Sequence, residues 1–110
     1  MVGDHAMIHQ PAIIDAAISG GVTNFYPSEF GCDISQGLYL TNRYYRDKHL
    51  TRDHLKKVAK DHPQFGYTFI ISSSFAEFAA SPQFGVDVEK GTFEFYGPKN
   101  KESPFTGVRE

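Results

Sequence analysis

The order of elements along the chain predicts an α/β fold with a parallel sheet. Three observations carry that expectation. Two runs, "VTNFY" (22–26) and "YTFIIS" (67–72), are short and rich in β-branched and aromatic residues, as strands are. A helical segment precedes each run, long enough to cross over between parallel strands. The second run is apolar without alternation, the pattern of a strand covered on both faces.

Each element has its own local reasons. "QPAIIDAAISGG" (10–21) predicts a helix in which Ala12, Ile13, Ala16 and Ala17 share a face and Ile14 and Ile18 border it. Pro11 suits the first turn, and Gly20-Gly21 is a stop signal. The strand at 22–26 follows, then a loop from Pro27 to about Thr41 punctuated by Gly31, Asp33, Ser35 and Gly37. A long, polar helix is predicted over 42–62, with Asn42 as N-cap and a narrow apolar stripe of Tyr44, Leu55, Val58 and Ala59. Pro63 and Gly66 end it before the strand at 67–72. "SSFAEFAAS" (73–81) reads as a short helix capped by serine. "VDVEKGTFEFYG" (86–97) reads as two strands around a Lys90-Gly91 turn, and the tail from Pro98 as loop. No internal repeat or low-complexity tract interrupts this order.

Composition narrows the function classes. The chain has 110 residues, 40% hydrophobic and 22% charged, which suits one ordinary domain. A formal net charge of -2, with Lys and Arg interleaved among Asp and Glu, argues against nucleic acid or an anionic membrane as partner. No apolar run approaches a membrane span, and the N-terminus has no signal-peptide pattern. The single cysteine, Cys32, cannot form an internal disulfide, so a reducing, cytoplasmic location is expected.

Ligands of open α/β sheets sit beyond the carboxyl ends of the strands. "PSEFG" (27–31) lies just past one such end and "SSSFAEF" (72–78) past the other. Serine, proline and glycine there let the backbone approach a flat ligand; the alternative is a pair of ordinary connecting loops. Tyr44 and Lys48 stand four apart, on one face of the predicted helix. An ammonium one turn away favours the phenolate and lowers a tyrosine's proton affinity, which suits a group that exchanges a proton while a hydride moves. The lysine can also hydrogen-bond a ribose hydroxyl, and Ser28 can steady a substrate oxygen. The competing reading packs Tyr44 inward and leaves Lys48 in solvent.

Other candidates carry less. His5 and His9 are four apart and His49, His54 and His62 are scattered, with no metal-binding spacing, so no metal is expected. Cys32 lacks a paired base and reads as a small loop residue. Glu29 and Asp33 read as hydrated loop acids. The charges of the long helix read as a solvated face, with Lys48 the exception.

With these residues in view, the chain resembles the isoflavone reductase-like and NmrA-like group of atypical short-chain dehydrogenases. The resemblance runs from "VG" (2–3) and Gln10 through "IIDAAISGGVTNFYPSEFG", Lys48 within "YRDKHLTRDHL", "YTFIISSSF" and "FGVDVEKGTFEFYG". "PSEFG" is its most specific part. It implies a partial Rossmann-type fold binding NADP or NAD, with residues 1–110 the central part of one domain. It matches Lys48 to the group's active-site lysine, an acid-base group near the nicotinamide. Pro27, Ser28 and Phe30 match the strand-tip segment beside the cofactor, and Ser74 and Phe75 the segment on the nicotinamide side. Gly3 and Gln10 match the preceding strand tip and helix start. Tyr44 stands where the wider dehydrogenases keep a tyrosine, although many reductase-like members keep the lysine alone.

The resemblance also implies a glycine-rich phosphate loop ahead of this region, and these 110 residues do not contain it. The expectation is therefore a piece truncated at both ends. The strands at 22–26 and 67–72 would be the fifth and sixth of the order 3-2-1-4-5-6. An open sheet edge would then invite self-association and leave this polypeptide marginally stable and by itself inactive. For the parent fold the expected function is hydride transfer from NAD(P)H to a small-molecule substrate. The alternative is a non-catalytic dinucleotide sensor that binds a partner protein, although such members tend to lose the tyrosine and lysine present here.

Overall fold

A computed structural model describes residues 4–94, 97–100 and 102–108. After a 3-10 turn at Asp4–His9, helix α1 spans Gln10–Ser19 and strand β1 Asn24–Phe25. Helix α2 spans Arg46–Asp61 and leads to β2 at Gly66–Tyr67. Then follow β3 (Ser74–Phe75), β4 (Val86–Asp87), β5 (Thr92–Phe93) and β6 (Phe105–Thr106). The fold is α/β: β1 and β2 are parallel with Asn24 opposite Gly66, β3 and β6 are parallel, and β4 and β5 form an antiparallel hairpin.

Helix α1 stops where the sequence marks it. Gly21 takes φ +82°, a left-handed conformation that costs glycine little. The Val22 amide donates to the Ala17 carbonyl at 3.0 Å and the Gly21 amide to Ile18 at 3.0 Å, the paired bonds of a Schellman ending. This turn delivers the chain into β1. The inward face of α1 differs from the expected one. Ile14 is fully buried and Ile18 half-buried, while Ala12, Ile13 and Ala16 face out. The core lies between α1, α2 and the β1–β2 pair: Ile14, Leu55, Val58 and Phe65, backed by Ile18, Phe25, Ala59, Tyr67 and Phe69. Each fully buried aliphatic side chain there contributes about 1.5–3 kcal/mol. A short hydrogen bond between His54 Nε2 and Asp15 Oδ1, 2.6 Å long, ties the two helices at their rim.

Several elements depart from expectation. The strands are shorter, because Pro27 lacks an amide and turns the chain away, so residues 69–72 have no ladder partner and belong to no described strand. The long helix starts later. Asn42 does cap, accepting from the Tyr44 amide at 2.9 Å, but it caps a 3-10 turn at Arg43–Tyr45 that precedes α2. Tyr44 is 68% exposed and so leaves the apolar stripe. Residues 73–81 form no helix: Ser74 and Phe75 pair with Phe105 and Thr106, and only Ala76–Phe78 makes a 3-10 turn. The tail read as loop thus supplies a strand. The Lys90-Gly91 turn is as read, although residues 95–96 of that segment lie outside the described residues. Val22, Tyr26, Ile70 and Ile71, around the β1–β2 pair, stay exposed. No helix among the described residues is long and apolar enough to cross a membrane.

Candidate functional site

Beyond β1 the backbone is held from three sides. Gln10, 2% exposed at the start of α1, accepts a 2.8 Å bond from the Ser28 amide through its Oε1. The Glu29 carboxylate, also buried, accepts from Arg52 Nε at 2.7 Å and Nη2 at 3.0 Å. Such a two-point, charge-assisted pair fixes direction as well as distance. Arg52 is itself buried, with its guanidinium 4.5 Å from the centre of the Phe69 ring and Nη1 3.9 Å from Asp33. Finally, Lys48 Nζ donates to the Glu29 carbonyl at 2.5 Å.

The next residues are bent to fit. Phe30 takes φ +29° and Ser73 φ +58°, both in the left-handed region that non-glycine residues avoid. Each such conformation costs on the order of 1–3 kcal/mol and persists only where its surroundings enforce it. Here the Ser73 amide donates to the Gly31 carbonyl at 3.0 Å, stitching the two strand-tip loops together. A Cβ on Gly31 would stand 3.4 Å from the Glu29 carbonyl oxygen and 3.8 Å from Lys48 Nζ. Glycine there keeps the wall open beside the ammonium.

These loops and the start of α2 enclose a cleft of ≈ 610 Å³, within the range of small-molecule and cofactor sites. Ser28, Phe30, Tyr44, Lys48, Ser74 and Phe75 all line it. Of the other residues singled out in the sequence, Pro27 and Gln10 are buried away from its lining, Gln10 serving the Ser28 amide, and Gly3 lies outside the described residues. Tyr44 and Lys48 share the cleft although Tyr44 precedes the α-helix.

Two readings need correction. Glu29 is no hydrated loop acid, being 3% exposed and paired with Arg52. Nor is Lys48 the lone exception on a solvated helix face, since Thr51 and Arg52 are buried there too. The signal was present: Lys48, Arg52, Leu55 and Ala59 follow one another at helical spacing, so a helix that turns Lys48 inward turns Arg52 inward with it.

Cys32 and Tyr45 also line the cleft, and the Cys32 thiol donates to the Tyr45 hydroxyl at 3.3 Å. Tyr45 packs edge-on against Tyr39 and Tyr44, with ring centres 5.5 and 5.0 Å apart. Burial, then the bond to Cys32, pushes the Tyr45 phenol well above its usual value of 10.0. The folded state therefore holds this proton more tightly than the unfolded chain. Its contribution is complete below pH 10 and is lost as pH rises through and beyond that value. We expect the urea midpoint of the wild type to fall more steeply above pH 10 than that of Tyr45→Phe; equal slopes would contradict this account. On the acid side, the Ser35 hydroxyl and amide hold Asp33 below its usual value of 3.8.

A second hollow, ≈ 600 Å³, lies at the β4–β5 hairpin, where Asp87 pairs with Lys90 at 2.9 Å. It shares none of the strand-tip groups. Among the described residues no three His, Cys, Asp or Glu gather as a metal site requires.

The fold and this cleft define an α/β protein whose strand tips converge on one ligand-sized hollow with a lysine in its wall. A family model described as the NmrA-like family matches residues 2–109, so the chain belongs to the NmrA-like family, whose members generally bind NAD(P). No curated protein and no solved structure matches the chain.

Proposed function

We propose that the protein is an NAD(P)H-dependent oxidoreductase of the isoflavone reductase-like kind, transferring a hydride to a small organic substrate. The observation that carries this reading is the single cleft on which Lys48, Ser28, Ser74 and the rings of Phe30 and Phe75 converge. Those residues fit a nicotinamide and its ribose. The phenyl rings offer apolar walls to a flat heterocycle, Gly31 keeps the backbone close, and Lys48 offers N–H donors to hydroxyl oxygens. The dinucleotide supplies the hydride. Lys48 stabilises negative charge on the substrate oxygen as it develops and holds the proton that quenches it. Tyr44, at the same cleft, relays that proton. A lone, half-buried cysteine suits the reducing cytoplasm.

One observation favours the sensor reading as a second possibility: Lys48 is already engaged by the Glu29 carbonyl. In that case the lysine stiffens the site and the dinucleotide binds without turnover.

The test is titration of the protein, expressed from its full reading frame, with NADPH and with NADH, followed by nicotinamide fluorescence. Saturable binding is expected. Gly31→Leu, which pushes a side chain past the Glu29 carbonyl into the cleft, should weaken it by roughly tenfold or more, the factor carried by about 1.4 kcal/mol. Absence of binding in the wild type, or undiminished binding in Gly31→Leu, would overturn the assignment of this cleft. Saturable binding with no oxidation in the presence of any hydride acceptor would select the sensor.

A further inference from the structure

We infer that Arg52 is a positioning residue for Lys48, acting through Glu29. Both ends of Glu29 are in use. Its carboxylate is gripped at two points by Arg52, and its backbone carbonyl receives the Lys48 ammonium. The two cations stand one turn apart on α2, at i and i+4, where like charges repel. Glu29 separates their tasks: the side chain neutralises one and the main chain orients the other. Only the second reaches the cleft, because Lys48 and Glu29 line it while Arg52 lies behind.

The anchor is stiff. The Arg52 side chain is 8% exposed and that of Glu29 2%, and the Phe69 ring lies against the guanidinium. A planar guanidinium held by a carboxylate and by an aromatic ring has few alternative orientations. Glu29 also stands between two other fixed points, the Ser28 amide bonded to Gln10 and the Gly31 carbonyl bonded to Ser73. Movement of the Glu29 carboxylate would therefore be felt at its carbonyl, and so at Lys48. That Lys48 takes part in hydride transfer rests on the proposed function; that Arg52 sets its place does not.

A bystander ion pair and a positioning one differ in a measurable way. Replacing both partners of a buried pair by uncharged residues of similar size leaves stability near its starting value, because no lone charge remains buried. The double variant Arg52→Met/Glu29→Gln therefore separates stability from placement. The readout is the rate at which Lys48 is acetylated by a pulse of acetic anhydride, measured on its peptide by mass spectrometry. Exposed Lys57 in the same sample serves as reference. We expect the Lys48 rate, relative to Lys57, to rise about tenfold in the double variant, the factor set by about 1.4 kcal/mol of hydrogen bonding to a charged group. Arg52→Lys, which keeps the charge but not the fork, should give an intermediate rise. An unchanged Lys48 rate in a double variant that unfolds cooperatively would overturn the inference. Should the double variant not fold, Glu29→Asp keeps both charges and shortens the anchor by one methylene, and the same ratio decides in the same way. NADPH titration of the wild type runs in parallel. If NADPH fails to bind while the Lys48 rate rises, the proposed function falls and the positioning role stands.

Discussion

Arg52→Met alone is expected to cost about 3–5 kcal/mol of folding stability. The reason is what it leaves behind. Glu29 is 3% exposed, and its carboxylate has Arg52 as its ion-pair partner among the described residues. Without the guanidinium, a negative charge remains in a site that water does not reach. Domains of this size are stable by only about 5–15 kcal/mol, so a loss of that order removes much of the margin. The converse variant, Glu29→Gln, should cost less. Arg52 would keep the Phe69 ring at 4.5 Å and the Asp33 carboxylate at 3.9 Å. Urea denaturation of both variants at neutral pH measures the asymmetry. If Arg52→Met costs under about 1 kcal/mol, the pair behaves like an exposed surface bridge and its burial means little. If Glu29→Gln costs more than Arg52→Met, Asp33 and Phe69 do not support the guanidinium as described.

How much of this was legible beforehand depended on the range of the interaction. The end of α1 was readable because Gly20-Gly21 is a local signal, and Gly21 does adopt the left-handed conformation. The α/β order was readable because each apolar run follows a helix, and β1 and β2 do pair in parallel. The phase of α1 was not. Ile13 and Ile14 are equally apolar, and only packing against Leu55, Val58 and Phe65 selects Ile14. Nor was the break between Tyr44 and Lys48 readable. Asn42 caps a turn of 3-10 geometry, and nothing in "NRYYRDKHL" marks where that geometry yields to an α-helix. The Glu29–Arg52 pair spans 23 positions and joins two residue types that usually sit in water. Strand β6 is two residues in a polar tail, visible only once Ser74 and Phe75 offer it an edge. The strand-tip loops, in contrast, converge as their serine and glycine content suggested, because an α/β topology leaves both tips at the same end of the sheet.

Lys48→Ala is the substitution that most sharply divides the roles proposed for this cleft. The ammonium lies in the cleft wall on the Glu29 carbonyl, with Ser28, Ser74 and Tyr44 along the same lining. If Lys48 binds the dinucleotide and also carries the proton, the two losses should differ. NADPH affinity should fall roughly 10-fold to 100-fold, the range of one hydrogen bond to a charged group. Turnover, followed as NADPH oxidation over a panel of small aromatic enones and quinones, should fall by about 10²–10⁴, the contribution of a positioned acid-base group. Melting temperature should move little, since Lys48 is only half-buried and its removal strands no buried charge. Turnover is read at saturating NADPH, so that a loss of affinity alone does not lower it. Unchanged turnover with weakened affinity would remove it from proton transfer and turn attention to Tyr44. Unchanged affinity and turnover together would sink both roles, because no other lysine or arginine lines this cleft among the described residues. Lys48→Arg refines the answer. A guanidinium keeps the charge and can still bond a ribose hydroxyl, but it does not release a proton near neutral pH. Affinity retained with turnover lost in Lys48→Arg is the pattern that a proton-carrying lysine requires.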